Sequence, residues 1–263
     1  MLRAFSTLGC PDFSLPEALA LAARFALDAV ELRALSGAVD LPGYFARHYT
    51  SPEDLAAVLN ASPVRVLAFD TSFKLIGART KDRASLLAFV PWAEAAGVPW
   101  LRVFDGGHAG SAPELAEAAE NLHWWREQRA RHGWQVDWMV ETHDSLLTAA
   151  AIQHFAAALP GAHLLWDAHH TWRKGGEDPV VTWTAIAPLV VHVHVKDSVS
   201  QPDGPHPFTY VLPGSGEFPA QALLRTLRPV FSGAVSLEWE RLWHPSLPPL
   251  ESALKTARER QWW

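Results

Sequence analysis

Segments of strand and helix character alternate along the whole chain, and this alternation restricts the fold more than any other feature. Parallel strands must be joined by crossovers of a dozen or more residues, so strand–helix order sustained from end to end predicts a parallel sheet clothed in helices. Strands are read at Ala4–Leu8, Ala29–Leu32, Val64–Phe69, Trp100–Phe104, Val136–Glu141, Ala162–Trp166, Leu189–Val195 and Ala234–Trp239. Helices are read between them. The apolar run Ala18–Ala26 follows Ser14 and Glu17, a capping-box spacing, and Ser51-Pro52-Glu53-Asp54 opens the second helix. Asp82–Ala96 ends at Gly97, and Ala112–His132 ends at Gly133. Leu146–Leu159, Asp178–Ala187, Pro219–Leu227 and Leu250–Arg260 complete the set.

Eight strand–helix units in 263 residues fit a closed (β/α)8 TIM barrel, a single domain over residues 1–263. The alternative, an open doubly wound sheet, is weakened because no Gly-x-Gly-x-x-Gly follows the first strand. One long segment, Ser198–Phe218, reads as irregular and carries Pro202, Pro205, Pro207 and Pro213. A loop of that length in a compact domain is expected to serve the site, here as a cover over it.

Composition removes several classes of function. Lys and Arg number 22 against 28 Asp and Glu, so the net charge of −6 lacks the basic excess of a nucleic-acid binder. The single cysteine, Cys10, excludes an intrachain disulfide framework and a cysteine-rich zinc site. No apolar run reaches the roughly 18 residues of a membrane span, and no long apolar stretch marks a signal peptide at the start. The expectation is a soluble cytoplasmic enzyme.

Chemistry in a barrel sits where strands end. The fifth strand stops at Glu141-Thr142-His143, the sixth at Asp167-Ala168-His169-His170, and the eighth at Glu238-Trp239-Glu240. The seventh reads Val191-His192-Val193-His194-Val195-Lys196-Asp197. Side chains alternate across a strand. That parity turns Ser236 and Glu238 inward with Glu240 a step beyond, and turns His192, His194 and Lys196 inward, with Lys196 at the rim. Three carboxylates and an imidazole converging at a barrel mouth would repel one another unless a cation joined them. An oxygen-rich set with one nitrogen suits Mn²⁺ or Mg²⁺, with Co²⁺ or Zn²⁺ as further candidates.

These residues resemble a known family. The chain looks like the xylose isomerase-like barrels, in their sugar isomerase/epimerase branch, over nearly its whole length. The likeness rests on Phe5-Ser6-Thr7-Leu8-Gly9-Cys10, Val30-Glu31-Leu32-Arg33, Leu101-Arg102-Val103-Phe104 and Glu141-Thr142-His143-Asp144. Its most specific parts are Asp167-Ala168-His169-His170, His194-Val195-Lys196-Asp197 and Glu238-Trp239-Glu240. The resemblance implies one divalent metal held by Glu141, Asp167, His194 and Glu238, with Glu141 and Glu238 also serving as acid and base. It further implies that His170 meets a substrate hydroxyl. Two positions depart from the pattern. Ala26 stands where many relatives have glycine before the second strand, and Ser200 stands where ketose 3-epimerases place an arginine, a role open to Lys196. The motifs are also similar to those of inosose dehydratases.

Other polar residues carry weaker signals. His143 is a candidate substrate contact or a loop cap. His169 should point away from Asp167. An arginine inside a strand needs a partner, so Arg102 is expected to pair with inward-facing Glu31, both lining the site. Asp70 ends the third strand, and turn chemistry accounts for Asp105. Trp100, Trp138, Trp166 and Trp183 read as packing. Trp172, Trp239 and Trp243 are candidates for stacking on a sugar. Trp124, Trp125, Trp262 and Trp263, read as helical, suit core packing better than an oligomer interface. Gly214-Ser215-Gly216 before a helix is a weak phosphate signal.

The expected activity is metal-dependent isomerisation or epimerisation of a sugar, sugar phosphate or related polyhydroxy carbonyl compound. Its partner is then a small-molecule carbohydrate, with neither nucleic acid nor membrane, and a homo-oligomer stays open. Dehydration on the same site is the first alternative. A phosphodiesterase of the abasic-site branch needs more histidine ligands and basic loops, and a barrel that only binds carbohydrate would not need paired glutamates.

Overall fold

The computed structural model describes residues 1–204 and 207–262. Pro205 and Trp263, both named above, lie outside the described residues. The chain begins with β1 (Leu2–Ser6), a single 3-10 turn at Thr7–Gly9, α1 (Leu15–Arg24) and β2 (Ala29–Leu32). There follow α2 (Leu41–His48), α3 (Pro52–Asn60), β3 (Arg65–Ile76), α4 (Thr80–Leu87), α5 (Val90–Ala96) and β4 (Trp100–Gly106). Next come α6 (Ala112–His132), β5 (Asp137–Glu141), α7 (Ala149–Ala158), β6 (His163–Asp167), α8 (Ala168–Arg173), α9 (Pro179–Ile186) and β7 (Val190–Val195). The chain closes with β8 (Asp197–Val199), β9 (Thr209–Val211), α10 (Ala220–Leu227), β10 (Ala234–Leu237) and α11 (Leu250–Glu259).

Eight of these strands close in the order β1-β10-β7-β6-β5-β4-β3-β2, every pair parallel, which is the (β/α)8 barrel expected from the alternation. Outward residues of the strands, among them Val193, Val195, Val235 and Leu237, join the helices in one continuous apolar layer. Inside the barrel the packing is sparse: Ala4, Ala29, Leu67 and Ala234 fill the floor, and Ala68, Met139 and Leu165 form a second small cluster. Small residues at the bottom leave the upper layers to polar side chains. No helix among the described residues is long and apolar enough to cross a membrane.

Several expectations are corrected. β3 runs on to Ile76 because Thr71, Phe73 and Leu75 stay buried while Ser72 and Lys74 face out, an alternation that continues past the polar Asp70-Thr71-Ser72. The helix read at Asp82–Ala96 is two helices, because Pro91 has no N–H to give the Leu87 carbonyl. Two short helices went unread. Asp40 caps α2, its Oδ1 accepting from the Gly43 amide at 3.2 Å, and Asp167 caps α8. Ser198–Phe218 is not irregular throughout: among its described residues, those of β8 and β9 pair antiparallel. Asp197 pins its far end by accepting the amides of Gly214, Gly216 and Phe218 at 2.8, 2.9 and 3.1 Å.

Candidate active site

Strand register brings the four strand ends to one height. Asp167 pairs with His194, and His194 pairs with Ser236, so Glu238 emerges just above them from β10. Glu141, Asp167, His194 and Glu238 are all buried and each offers a ligand atom within 4.8 Å of the others. Glu141 Oε2, Asp167 Oδ2 and His194 Nδ1 are buried and make no hydrogen bond. The chain's own charged groups stand next to these atoms, but three buried carboxylates and an imidazole converging on one spot are the donor set of a divalent ion, so these residues fit a divalent metal. Overlapping groupings, Glu31 with His192 and His194, and Glu141 with His143 and His170, extend the polar cluster below and beside it.

Cations of the chain itself surround this cluster. Lys196 is buried at 1% exposure, not at the rim, and its ammonium lies 2.8 Å from Asp167 Oδ2 and 2.6 Å from Glu240 Oε1 and also contacts Glu238. The last inward step of β7 thus ends beneath carboxylates that draw the side chain in. Arg102 does not pair with Glu31. Its Nε sits 3.2 Å from Glu141 and 3.9 Å from Asp70, with the guanidinium 4.0 Å above the Phe104 ring. β4 lies between β3 and β5, so the carboxylates of those neighbours are nearer than β2. Glu31 is instead 2.7 Å from His194 Nε2 and 3.2 Å from His192. That contact leaves His194 Nδ1 turned to Glu238 at 3.3 Å.

The ionisation states follow from these neighbours. Burial opposes charge on His194, but the Glu238 and Glu31 carboxylates outweigh it and hold the imidazole well above its ordinary value. Burial likewise opposes charge on Asp167 and Glu238. His170 and Lys196 overcome it for the first, His194 and Lys196 for the second, and both stay well below the usual carboxylate range. Asp70 goes the other way, pushed well up by burial and by Glu31. His192 falls to about 4 through burial and is neutral, its Nε2 2.7 Å from Ser236 Oγ.

Above the cluster lies a cavity of about 80 Å³, lined by Leu8, Arg33, Arg102, Phe104, Glu141, His143, His170, Glu238, Glu240 and Trp243. His170 Nδ1 is 3.0 Å from Asp167 Oδ2, and its ring meets that of His143 edge-on at 5.0 Å. His143 in turn lies 2.8 Å from Asp144. Among the residues named from sequence, Glu141, Glu238, His143, His170 and Arg102 reach the cavity wall, whereas Glu31 and Lys196 lie behind it.

Other expectations resolve into architecture. Asp105 accepts the amides of Asp144, Ser145 and Leu146 at 2.8, 2.9 and 2.7 Å and so fixes the loop after β5. His169 is buried against Phe208, Tyr210, Trp172 and Phe218, 2.8 Å from Ser198 Oγ. The Gly214-Ser215-Gly216 amides are already bound, to Asp197 and to the Leu212 carbonyl, so none of these three backbone amides is left for a phosphate. Trp239 is buried and donates to the Pro248 carbonyl, and Trp172 packs on His169 and Phe218. Only Trp243, 54% exposed, joins the cavity wall from the three stacking candidates. Trp124 and Trp125 pack with Trp138, and Trp262 is buried beyond the end of α11. Sequence reasoning passed over Tyr210, and it named Arg33 and Glu240 without giving either a role in the site. Tyr210, on β9, donates to Glu240 at 2.7 Å and brings the ribbon to the site edge.

With this geometry in hand, comparison places the chain. It belongs to the xylose isomerase-like TIM-barrel family, whose model matches residues 19–262. Among solved structures, the probable 3-DHS dehydratase AsbF of Bacillus anthracis superposes with a TM-score of 0.79 at 17% identity, over 99% of this chain and 100% of that one. The IOLI protein, with a bound zinc atom, gives 0.73 at 19%, over 99% and 96%. D-psicose 3-epimerase gives 0.70 at 14%, over 99% and 98%. At these identities the likeness establishes the fold alone. A search of the curated proteins returned no match.

Proposed function

We propose that the chain is a metal-dependent isomerase or epimerase of a sugar or related polyhydroxy carbonyl compound, working by proton transfer through an enediolate. The observation that carries this reading is the set of four buried ligand atoms within 4.8 Å of one another, two of them from glutamates on different strands. Glu141, Asp167, His194 and Glu238 would hold the ion. When bound there, a divalent metal polarises a substrate carbonyl and acidifies the neighbouring C–H.

The chain's own groups handle the proton. Glu141 ends β5 and Glu238 follows β10, with β6 and β7 between them, so the two carboxylates reach the cavity from separate sides. Each has a cation at its back, Arg102 for Glu141 and Lys196 for Glu238. His194 and Lys196 hold Glu238 ionised and able to take a proton from carbon, and the partner glutamate returns one to the other face or the adjacent carbon. His170 and His143 line the same wall and are placed to bind substrate hydroxyls, with Arg102 at its side. The likeness to D-psicose 3-epimerase and to zinc-bearing IOLI agrees with this chemistry.

Dehydration is the second reading, and His143 favours it. Burial opposes its charge, but the hydrogen bond to Asp144 and the field of Glu141 raise its pKa, so an acid beyond the two glutamates faces the cavity and could protonate a leaving hydroxyl. The AsbF likeness agrees with that version. Turnover of ketoses, sugar acids and inososes in D₂O tests both. Deuterium should appear at the reacting carbon, without loss of water for the isomerase and with it for the dehydratase. Complete retention of the substrate hydrogen would overturn the proton-transfer mechanism.

A further inference from the structure

Arg33 is the one lysine or arginine of the cavity wall that forms no ion pair with a described carboxylate. It follows β2 directly, is 6% exposed, and lines the cavity beside Arg102. Its only side-chain hydrogen bond runs from Nη2 to Ser72 Oγ at 3.1 Å. Nη1 is buried without a partner, and no described carboxylate forms an ion pair with the side chain. The contrast with its neighbours is sharp. Lys196 has three carboxylates in contact, and Arg102 has two. Burial, and then the repulsion of Arg102, lower the Arg33 pKa to about 10 against the weaker pull of Asp70, Glu141 and Glu238. A buried guanidinium with a bare Nη1 and no carboxylate in ion-pair contact is unfavourable, and it is retained here facing the space a substrate would fill.

We propose that Arg33 receives a carboxylate of the substrate, which makes the substrate a polyhydroxy acid and not a neutral sugar. The proposal rests on the reading of this cavity as the substrate site. A phosphate is the other oxyanion that an arginine accepts, and one observation disfavours it. The backbone amides that bind phosphate after the last strands of such barrels are taken by Asp197. A planar carboxylate matches the guanidinium fork and answers the unpaired Nη1 directly.

Equilibrium binding tests the assignment without turnover. Glycerate, glycerol and glycerol 3-phosphate, and the pair D-gluconate and D-glucitol, are titrated calorimetrically into Mg²⁺-loaded and into chelator-treated protein. In both forms the acids should bind about 10- to 100-fold more tightly than their alcohols, the worth of a hydrogen bond to a charged group. That advantage should vanish in Arg33→Met and survive in part in Arg33→Lys, with alcohol binding unchanged. Arg33→Met should also unfold at the same or a higher temperature, since it removes an unpaired buried charge; a purely structural arginine would leave the variant less stable. Acids that bind no better than alcohols overturn the proposal. So does an acid preference that persists in Arg33→Met, which would place the carboxylate elsewhere, or a preference for glycerol 3-phosphate over glycerate. Because chelator-treated protein is included, an intact acid preference with failed deuterium incorporation would sink the proton-transfer mechanism and leave the anion site standing.

Discussion

Replacing Lys196 by methionine should separate the two sources of positive charge on which the buried carboxylates depend. In the metal-free protein the ammonium contacts Asp167, Glu238 and Glu240, and the side chain is 1% exposed. Methionine fills most of the volume but leaves those carboxylates facing one another. Removing one partner of a buried ion set destabilises by about 3–5 kcal/mol, because charge is left uncompensated. For a domain of this size that corresponds to a fall in Tm of roughly 6–20 °C. A divalent ion restores the missing charge, and without the ammonium's repulsion it should bind the variant more tightly. Ligand at about a hundredfold over its Kd adds about 2.7 kcal/mol to either protein, and more to the one that binds it better. The loss in the variant should therefore shrink when Mn²⁺ saturates, by about 1.4 kcal/mol for each tenfold by which the variant binds the ion more tightly. Urea unfolding at pH 8, followed through the chain's 13 tryptophans, measures both values. A metal-free loss below about 1 kcal/mol would refute the burial of Lys196 among the carboxylates. An equal loss with and without Mn²⁺ would refute the idea that lysine and metal answer the same charges.

Elemental analysis of Asp167→Asn and His194→Ala should show most bound metal gone, and full occupancy in both would remove those residues from the ligand set. Metal affinity should fall as pH drops, by about tenfold per unit below the raised His194 pKa, because the ion must displace the imidazole proton; calorimetry in buffers of differing ionisation enthalpy should detect that proton, and its absence would contradict the scheme. The same proton stabilises the metal-free fold below a pH of about 6.5, and that gain is lost as pH rises through the folded-state value. Ala26 is exposed at φ 53°, a left-handed conformation that disfavours a Cβ by about 1–2 kcal/mol, so Ala26→Gly should be neutral to stabilising in urea unfolding while Ala26→Val should be clearly destabilising.

Much of the barrel is legible in the sequence because its signals are local. The helix Ala112–His132 is bounded by Ser111 with Glu114 at one end and Gly133 at φ 71° at the other, and both ends fall where those residues put them. Parity of the β-branched strands β7 and β10 separates Val193 and Leu237, which face the helices, from His194 and Ser236, which face inward. The partner of Arg102 was not legible. Arginine advertises a need for a carboxylate, but Glu31, Asp70 and Glu141 all stand at strand ends, and only strand adjacency makes Asp70 and Glu141 the near ones. Arg33 was not legible for a different reason. Its significance lies in the absence of a counter-ion, a property of the whole surrounding shell that no spacing of residues encodes.

Three aspartates at strand ends show how one residue type divides its work. Asp105, Asp167 and Asp197 look alike in sequence, each following an apolar strand, and each accepts backbone amides of the segment that leaves the barrel. Asp105 and Asp197 give both oxygens to that task, so they fix the loops after β5 and around Gly214–Phe218. Asp167 gives only Oδ1, to the His170 amide, which starts α8 and swings the His170 ring over the cavity. Its Oδ2 is left toward Lys196 and the cluster. The cap and the candidate ligand are therefore one carboxylate, and the position of His170 is set by the same residue that would hold the metal. That coupling makes the geometry of the wall and the charge of the floor parts of a single local design, built from a strand end and the first turn of a six-residue helix.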